Sequence, residues 1–379
     1  MVMDRLFLLM RDKKASDMFM SVNSPVHLKV NGSLIPINQQ KMDNAAIKKL
    51  LAEVVPASRL EELERDNELN MGIPIADVGS FRLSAFRQRG SISAVLRYIP
   101  SEIPALGNLN VPPVLADIIM EKRGLLLVVG ATGSGKSTTI AAMLDHRNAL
   151  KSGHILTLED PIEFLFHNKK SIVNQREIGT DAANLDIALK NALRQAPDCI
   201  LIGEIRDKQS MSAALAYAQS GHLVVATLHA NNSYQALMRI INFYPLETRQ
   251  SLLYDLAGTL KAVVSQRLVN ATAGGRKPAV EILLNTRHVA ELIEQGEIGQ
   301  IKDAIEKSLA PGSQTFEQAL MQLIRDGVIT QEEGLAHADS ASNLFWLLNN
   351  QKTDESTMQE SPPQTEEGGA TFTEFTLNA

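Results

Sequence analysis

The chain has 379 residues and a net charge of −6, with 44% apolar and 4% aromatic residues. That suits two domains with ordinary cores and argues against a nucleic-acid surface, which needs clustered Lys/Arg and stacking rings. One cysteine, Cys199, excludes an internal disulfide and a four-cysteine zinc module, and no apolar run approaches the ~18 residues needed to span a bilayer.

The opening, Met1 to Arg11, is a short amphipathic stretch without a small-residue cleavage site, so a first helix and a cytoplasmic chain are expected. Strand-like His27-Leu28-Lys29-Val30 meets a turn at Asn31-Gly32. Lys48 to Leu69 reads as one charged helix. Phe81–Phe86 and Ser91–Tyr98 read as strands around Arg89-Gly90. A two-residue loop there pairs Gln88 with Ser91 and sets Arg82 directly opposite Arg97. Like charges so opposed are destabilising, which predicts something anionic between them, namely a bound triphosphate; two solvated arginines are the plainer alternative. Residues 1–99 thus form an α+β domain, and 100–113, with Pro100, Pro104, Pro112 and Pro113, a stiff linker.

From Val114 strands alternate with helices, the mark of a parallel α/β sheet. Strands are expected at 125–129, 155–158, 199–202 and 223–227, and helices at 137–150, 185–195, 208–219 and 233–241. Beyond Gly275 the pattern is mainly helical to about Asn350. Residues 351–379 hold six carboxylates and one lysine among polar residues, the composition of a disordered acidic tail.

The central motif is Gly130-Ala131-Thr132-Gly133-Ser134-Gly135-Lys136-Ser137, entered by an apolar strand and followed by a helix that includes Thr138. It satisfies G-x-x-x-x-G-K-[ST], whose fixed positions arise by chance in roughly one per cent of chains this long. Such a loop cradles phosphates of ATP with backbone N–H groups, Lys136 reaches the β/γ-phosphates, and the Ser137 hydroxyl ligates Mg²⁺. Glu159, Asp160 and Glu163 follow one strand, and Glu204 follows another. Ligands sit at the carboxyl ends of parallel strands, so these carboxylates are candidates for holding a metal-bound water or orienting the attacking one. His229, at the carboxyl end of the 223–227 strand, is placed to sense a γ-phosphate. His222 begins that strand, about 23 Å away in extended chain, so the two cannot share an ion; for His222 a structural role is as good a reading.

At these motifs the sequence resembles the type II/IV secretion ATPase superfamily, and closely the PilT/PilU retraction ATPases of type IV pili. The resemblance rests on the Walker A segment Gly130–Ser137, the acidic box Glu159–Glu163, the Walker B segment Ile200–Arg206 and the His box Gly221–His229, in the family's order. It covers roughly residues 1–345 and implies a PAS-like N-terminal domain followed by a RecA-like ATPase domain with a helical C-terminal extension, at 114–350. It further implies a homohexameric ATP-driven motor, with Glu163 as base and Glu204 as Walker B glutamate, and arginines such as Arg82 and Arg97 brought onto ATP by the N-terminal domain. The implied partners are other copies of itself, a PilT-type motor and the pilus platform protein at the inner membrane, without insertion into the bilayer. The PilT branch carries A-I-R-N-L-I-R-E where this chain has His288-Val-Ala-Glu-Leu-Ile-Glu-Gln295, with neither arginine. Together with Leu193–Asp198 and Ala336–Ala341, that places the resemblance nearer PilU, with an unaided PilT-type motor as the alternative. A nucleic-acid-translocating RecA-like ATPase would share the core, but the acidic balance disfavours it. A non-catalytic nucleotide-gated scaffold is disfavoured by the presence of both Glu163 and Glu204.

Overall fold

A computed structural model describes residues 1–30, 32–75, 78–100 and 102–357. The chain opens with α1 (Val2–Asp12), β1 (Asp17–Met20), β2 (His27–Val30), β3 (Ser33–Pro36), α2 (Asn44–Ala52), α3 (Ala57–Asp66), β4 (Glu68–Ile75), β5 (Gly79–Gln88) and β6 (Ser91–Pro100). Its strands make one six-stranded sheet in the order β3-β2-β1-β6-β5-β4. Of the turn expected at Asn31-Gly32, Gly32 is described, at φ 84°, and Asn31 lies outside the described residues. Met3, Phe7 and Met10 of α1 pack on this sheet, Phe7 stacking on Phe81 with ring centroids 4.1 Å apart. The β5–β6 turn has Arg89 at φ 48° and Gly90 at φ 78°, the conformation a two-residue hairpin requires, and Arg82 stands opposite Arg97 as expected. The single helix expected over 48–69 is corrected to two helices and the start of a strand. Pro56, which cannot donate a helical hydrogen bond, begins α3, and Asn67 at φ 62° ends it before β4. Strands β1 and β4 were not expected.

The second unit contains α4 (Val114–Ile118), β7 (Gly124–Val129), α5 (Lys136–Leu150), β8 (Gly153–Glu159), β9 (Ser171–Glu177), α6 (Leu185–Ala192), β10 (Cys199–Ile202), α7 (Lys208–Gln219), β11 (Leu223–Leu228), α8 (Ser233–Asn242), α9 (Leu246–Thr259), β12 (Leu260–Asn270) and β13 (Arg276–Leu284). These strands order as β13-β12-β7-β11-β10-β8-β9. Neighbours from β12 to β9 run parallel, and only β13 is antiparallel. Every residue of β7 is buried, as befits a parallel strand covered on both faces. The α-helix expected to reach Gln195 ends at Ala192 in a tighter turn, because Ala196 precedes Pro197 and sits at φ 49°. The stretch beyond Gly275 is also corrected: it begins with β13, paired with β12 along its whole length, before turning helical.

The helical part comprises α10 (Arg287–Gln295), α11 (Ile301–Glu306), α12 (Phe316–Arg325), α13 (Gln331–His337) and α14 (Ala341–Thr357). The last three build a small core of their own around Phe316, Leu320, Ile329 and Leu344, which also takes in Val269 of β12. Helix α14 runs past position 350 to Thr357; the rest of the expected tail, 358–379, lies outside the described residues. Among the described residues no helix is long and apolar enough to cross a membrane.

Candidate functional site

The register of the parallel strands brings four loops to one edge of the sheet. Val129 pairs with Leu228, Ala226 with Ile202, and Ile202 with Leu158. The loops after β7, β11, β10 and β8 therefore emerge side by side, where a parallel sheet holds its ligand. They carry Lys136, His229, Glu204 and Glu159–Glu163, residues spread over about a hundred positions of sequence.

The loop between β7 and α5 is shaped by its neighbours. Gly130 lies at φ 154°, and a Cβ there would come within 2.5 Å of both Gln266 O and Ser134 Oγ. Gly135, at φ 85°, caps α5, and a Cβ there would lie 2.8 Å from Gln266 Nε2. Ala131, Thr132 and Gly133 are exposed, while Ser137 and Thr138 on the first turn of α5 are half-buried. Lys136 Nζ donates to Gly130 O at 2.8 Å and Ala131 O at 2.9 Å. Burial pushes its pKa down, and the negative charges of Glu163 and Glu204 oppose that shift. The three groups thus share one electrostatic environment. First-turn N–H groups of α5 have no intrahelical partner, and Ser134 Oγ is buried without a hydrogen bond. Those donors and the lysine suit a polyphosphate.

The acidic residues are not equivalent. Glu159 Oε1 accepts from Thr157 Oγ1 at 2.6 Å and Gln175 Nε2 at 3.2 Å, yet burial pushes its carboxyl up to about 7. Glu163 lies 3.9 Å from Arg82 Nη1, and Arg82 also donates to Asp160 O at 3.4 Å. Glu204 accepts from Arg206 Nε at 2.7 Å and stands 3.4 Å from His229 Nε2. His229 is held from behind by Arg239, which donates to its carbonyl at 3.0 Å. His222 is tied to Tyr217 O and Ser220 Oγ, both at 3.1 Å, at the opposite end of β11. That is the structural reading of the two left open.

The two arginines of the opposed pair are each engaged within the chain. Among the described residues no carboxylate sits between Arg82 and Arg97; each turns to its own. Arg97 Nε donates to Asp17 Oδ1 at 3.0 Å, and Asp17, on β1, is only 6% exposed. Across the sheet the row reads Lys29, Asp17, Arg97, Arg82, Gly72, so a buried aspartate stands between two cations. Arg82 leans instead onto the Asp160–Glu163 segment of the same chain.

Sequence reasoning missed Asp17, Glu177 and Gln266. Gln266, 2% exposed on β12, donates from Nε2 to Ser134 O and accepts from Thr139 Oγ1, both at 2.8 Å, stapling the loop to the start of α5. The signal for it was a buried amide interrupting the apolar run of β12. Its neighbour Arg267 faces the other way. Arg267 donates to Asn231 O at 3.2 Å, pairs with Asp339 and His337 O, and stacks 3.9 Å over Phe316. Asp339 in turn accepts from Asn232, the cap of α8, at 2.8 Å.

A strand–loop–helix phosphate cradle on a parallel sheet, with carboxylates on two adjacent strand ends, defines a P-loop ATPase. The chain belongs to the family described as "Type II/IV secretion system protein", whose profile it matches over residues 2–274. It is 44% identical over 349 residues to the type IV pilus ATPase PilU of Pseudomonas aeruginosa, covering 92% of this chain and 91% of that one. To the type IV pilus retraction ATPase PilT of the same organism it is 36% identical, covering 87% and 96%. A solved structure of the pilus retraction motor PilT with bound ADP superposes with a TM-score of 0.84 at 35% identity, over 90% of this chain and 98% of that one.

Proposed function

We propose that this chain hydrolyses ATP as a subunit of a hexameric motor for type IV pilus retraction and twitching motility, acting beside a PilT-type motor. The observation that carries the chemistry is the convergence of Lys136, Glu163 and Glu204 at one sheet edge, with Arg82 delivered by the N-terminal sheet. Lys136 and the Gly130–Ser137 backbone bind the β/γ-phosphates; Thr138 lies on the same first turn. Ser137 would hold Mg²⁺, which when bound neutralises charge on the phosphate oxygens. Glu163 orients the attacking water and takes its proton. Glu204 would hold a water ligand of that metal, and it stands beside His229, which is placed to sense the γ-phosphate. Arg82 and Arg97 stabilise charge on the transferring phosphoryl group. The proposed setting is the cytoplasmic face of the inner membrane, at the pilus platform, as a peripheral ring without bilayer insertion or nucleic acid. Residues 1–99 and 114–350 are the proposed domains, joined by 100–113.

The branch assignment rests on Leu193–Asp198, on Ala336–Ala341 and on α10, whose exposed side pairs Arg287 with Glu291 and carries no arginine pair like that of the PilT branch. Phosphate release measured across fractions of known oligomeric state tests the motor: activity should track the ring. In cells, loss of the protein should leave pili assembled but impair forceful retraction. Robust retraction by this protein alone would reassign it to the unaided motor.

A further inference from the structure

One buried carboxylate of the ATPase unit takes no part in the chemistry above. Glu177 ends β9, is 7% exposed, and reaches in two directions. Its Oε2 accepts from Ile162 N at 3.1 Å, and its Oε1 accepts from Gly72 N at 3.2 Å and from Thr180 Oγ1 at 3.1 Å. Ile162 precedes Glu163, whereas Gly72 lies on β4 of the N-terminal sheet, directly opposite Arg82. A single side chain therefore holds the backbone of both units, at the segment that carries the water-orienting candidate. All its partners are neutral donors, and the two backbone N–H groups, one from each unit, have fixed directions, so the carboxylate position is set by both units together.

Gly72 is what makes the contact possible. A Cβ there would fall 2.5 Å from Glu177 Oε2, closer than any real contact. Gly72 is not in the left-handed region of backbone space, so nothing in its own conformation calls for glycine. The close approach is to the carboxylate, which its hydrogen bonds to Ile162 N and Thr180 Oγ1 hold in place, with Pro161 Cβ next at 3.5 Å. The same seam is lined by Arg82 on Asp160 O and by Arg59, which donates to Asn70 O at 2.8 Å and Gly179 O at 3.4 Å.

We infer that Glu177 is a positioning residue that makes hydrolysis conditional on the seating of the N-terminal sheet. When the sheet is seated, Gly72 N and Ile162 N share the carboxylate, and Glu163 is held where Arg82 also arrives. When the sheet lifts, Glu177 loses one of its anchors and the Asp160–Glu163 segment loses its register against the phosphate loop. The chemistry is thereby withheld from chains whose N-terminal unit is not docked, without any change at Lys136. This rests on the role given above to Glu163.

The test is a two-by-two cycle in the full-length chain: Gly72→Ala, Glu177→Ala and the double variant. The readouts are kcat and KM for ATP, the Kd of fluorescent methylanthraniloyl-ADP, and the melting temperature. A misplacement of about 1 Å near reacting atoms can lower turnover by about 100-fold, so each single variant should lose about 10- to 100-fold in kcat. Nucleotide Kd should hold, because the phosphate loop is untouched. The double variant should be no slower than Glu177→Ala, since the methyl added at position 72 then has nothing to collide with. Glu177→Gln preserves volume but exchanges one acceptor oxygen for a donor, and should fall between wild type and Glu177→Ala. Additive losses in the cycle, or wild-type kcat in either single variant, would overturn the inference. So would losses of kcat matched by parallel losses of Kd and melting temperature, which are the mark of a merely structural residue. Glu163→Gln, assayed beside them, separates the two claims. If it turns over normally the role of Glu163 falls, while the coupling between positions 72 and 177 still judges the clamp.

Discussion

Replacing Gln266 with leucine keeps the volume of a buried side chain and removes both hydrogen bonds that pin the phosphate loop. Ser134 O and Thr139 Oγ1 are both buried in those bonds, and Thr139 is 2% exposed, so water cannot readily replace the amide. Each unsatisfied partner costs about 1–3 kcal/mol, and the added apolar burial of leucine returns about 1–2 kcal/mol. The net loss of about 0–5 kcal/mol, centred on about 2–3, falls first on the order of the loop rather than on the strand, whose backbone pairing with β7 and β13 does not use the side chain. Since about 1.4 kcal/mol is tenfold in affinity, Gln266→Leu should weaken ADP binding by about 10- to 100-fold. Titration with methylanthraniloyl-ADP measures this, with melting curves to show that the sheet survives. Gln266→Glu should be worse than leucine, because it keeps the acceptor for Thr139 but sets an anionic oxygen against the Ser134 carbonyl. Wild-type affinity in Gln266→Leu would refute the staple.

Lys136→Ala should abolish tight nucleotide binding, whereas Glu163→Ala and Glu204→Ala should bind ADP normally and release no phosphate. If Glu163→Ala turned over at the wild-type rate, Glu159 would be next in line. Arg82→Ala and Arg97→Ala should each lose most hydrolysis with Kd for ADP intact. Arg82→Ala should not be rescued by mixing with Lys136→Ala protein, because Arg82 meets the Asp160–Glu163 segment of its own chain; recovery in that mixture would show that it acts across a subunit boundary. Glu159 predicts a pH dependence. Its carboxyl titrates at about 7 when folded against 4.5 ordinarily, so it contributes stability that is complete below 4.5 and lost as pH rises through 7. Glu159→Gln, which stays neutral, should therefore gain on wild type by about 2–3 kcal/mol between roughly pH 5 and pH 8 in urea unfolding. A difference independent of pH would show that the carboxyl is not held protonated.

What could be read from the sequence was local. Gly130–Ser137 announces itself by spacing, and the Arg82–Arg97 register follows from a turn of two residues. The acidic residues were placed by the rule that loops at carboxyl ends of parallel strands share an edge. Strand β12 escaped notice because α9 ends at Thr259 and β12 starts at Leu260, with no turn residue between them to mark the change. Once β12 was missed, Gln266 could not be placed beside β7, since the two meet only through sheet order. Glu177 and Asp17 escaped for a related reason: each acts on a partner 80 or more positions away, Gly72 being 105 positions from Glu177 and Arg97 80 from Asp17. The helix expected across 48–69 failed on the opposite count, where a run of charges concealed the one residue, Pro56, that could not continue it.

Gln266 and Arg267 are consecutive on β12 and point to opposite faces, one to the phosphate loop and the other to the C-terminal helices. A pull on α12–α14 reaches the sheet through Arg267 and Asp339, and through Asn232 it also reaches the loop that bears His229. The phosphate loop and the C-terminal helices are therefore gripped by adjoining residues of one strand. The C-terminal helices are geared to the phosphate loop as the arm of a balance is to its pivot.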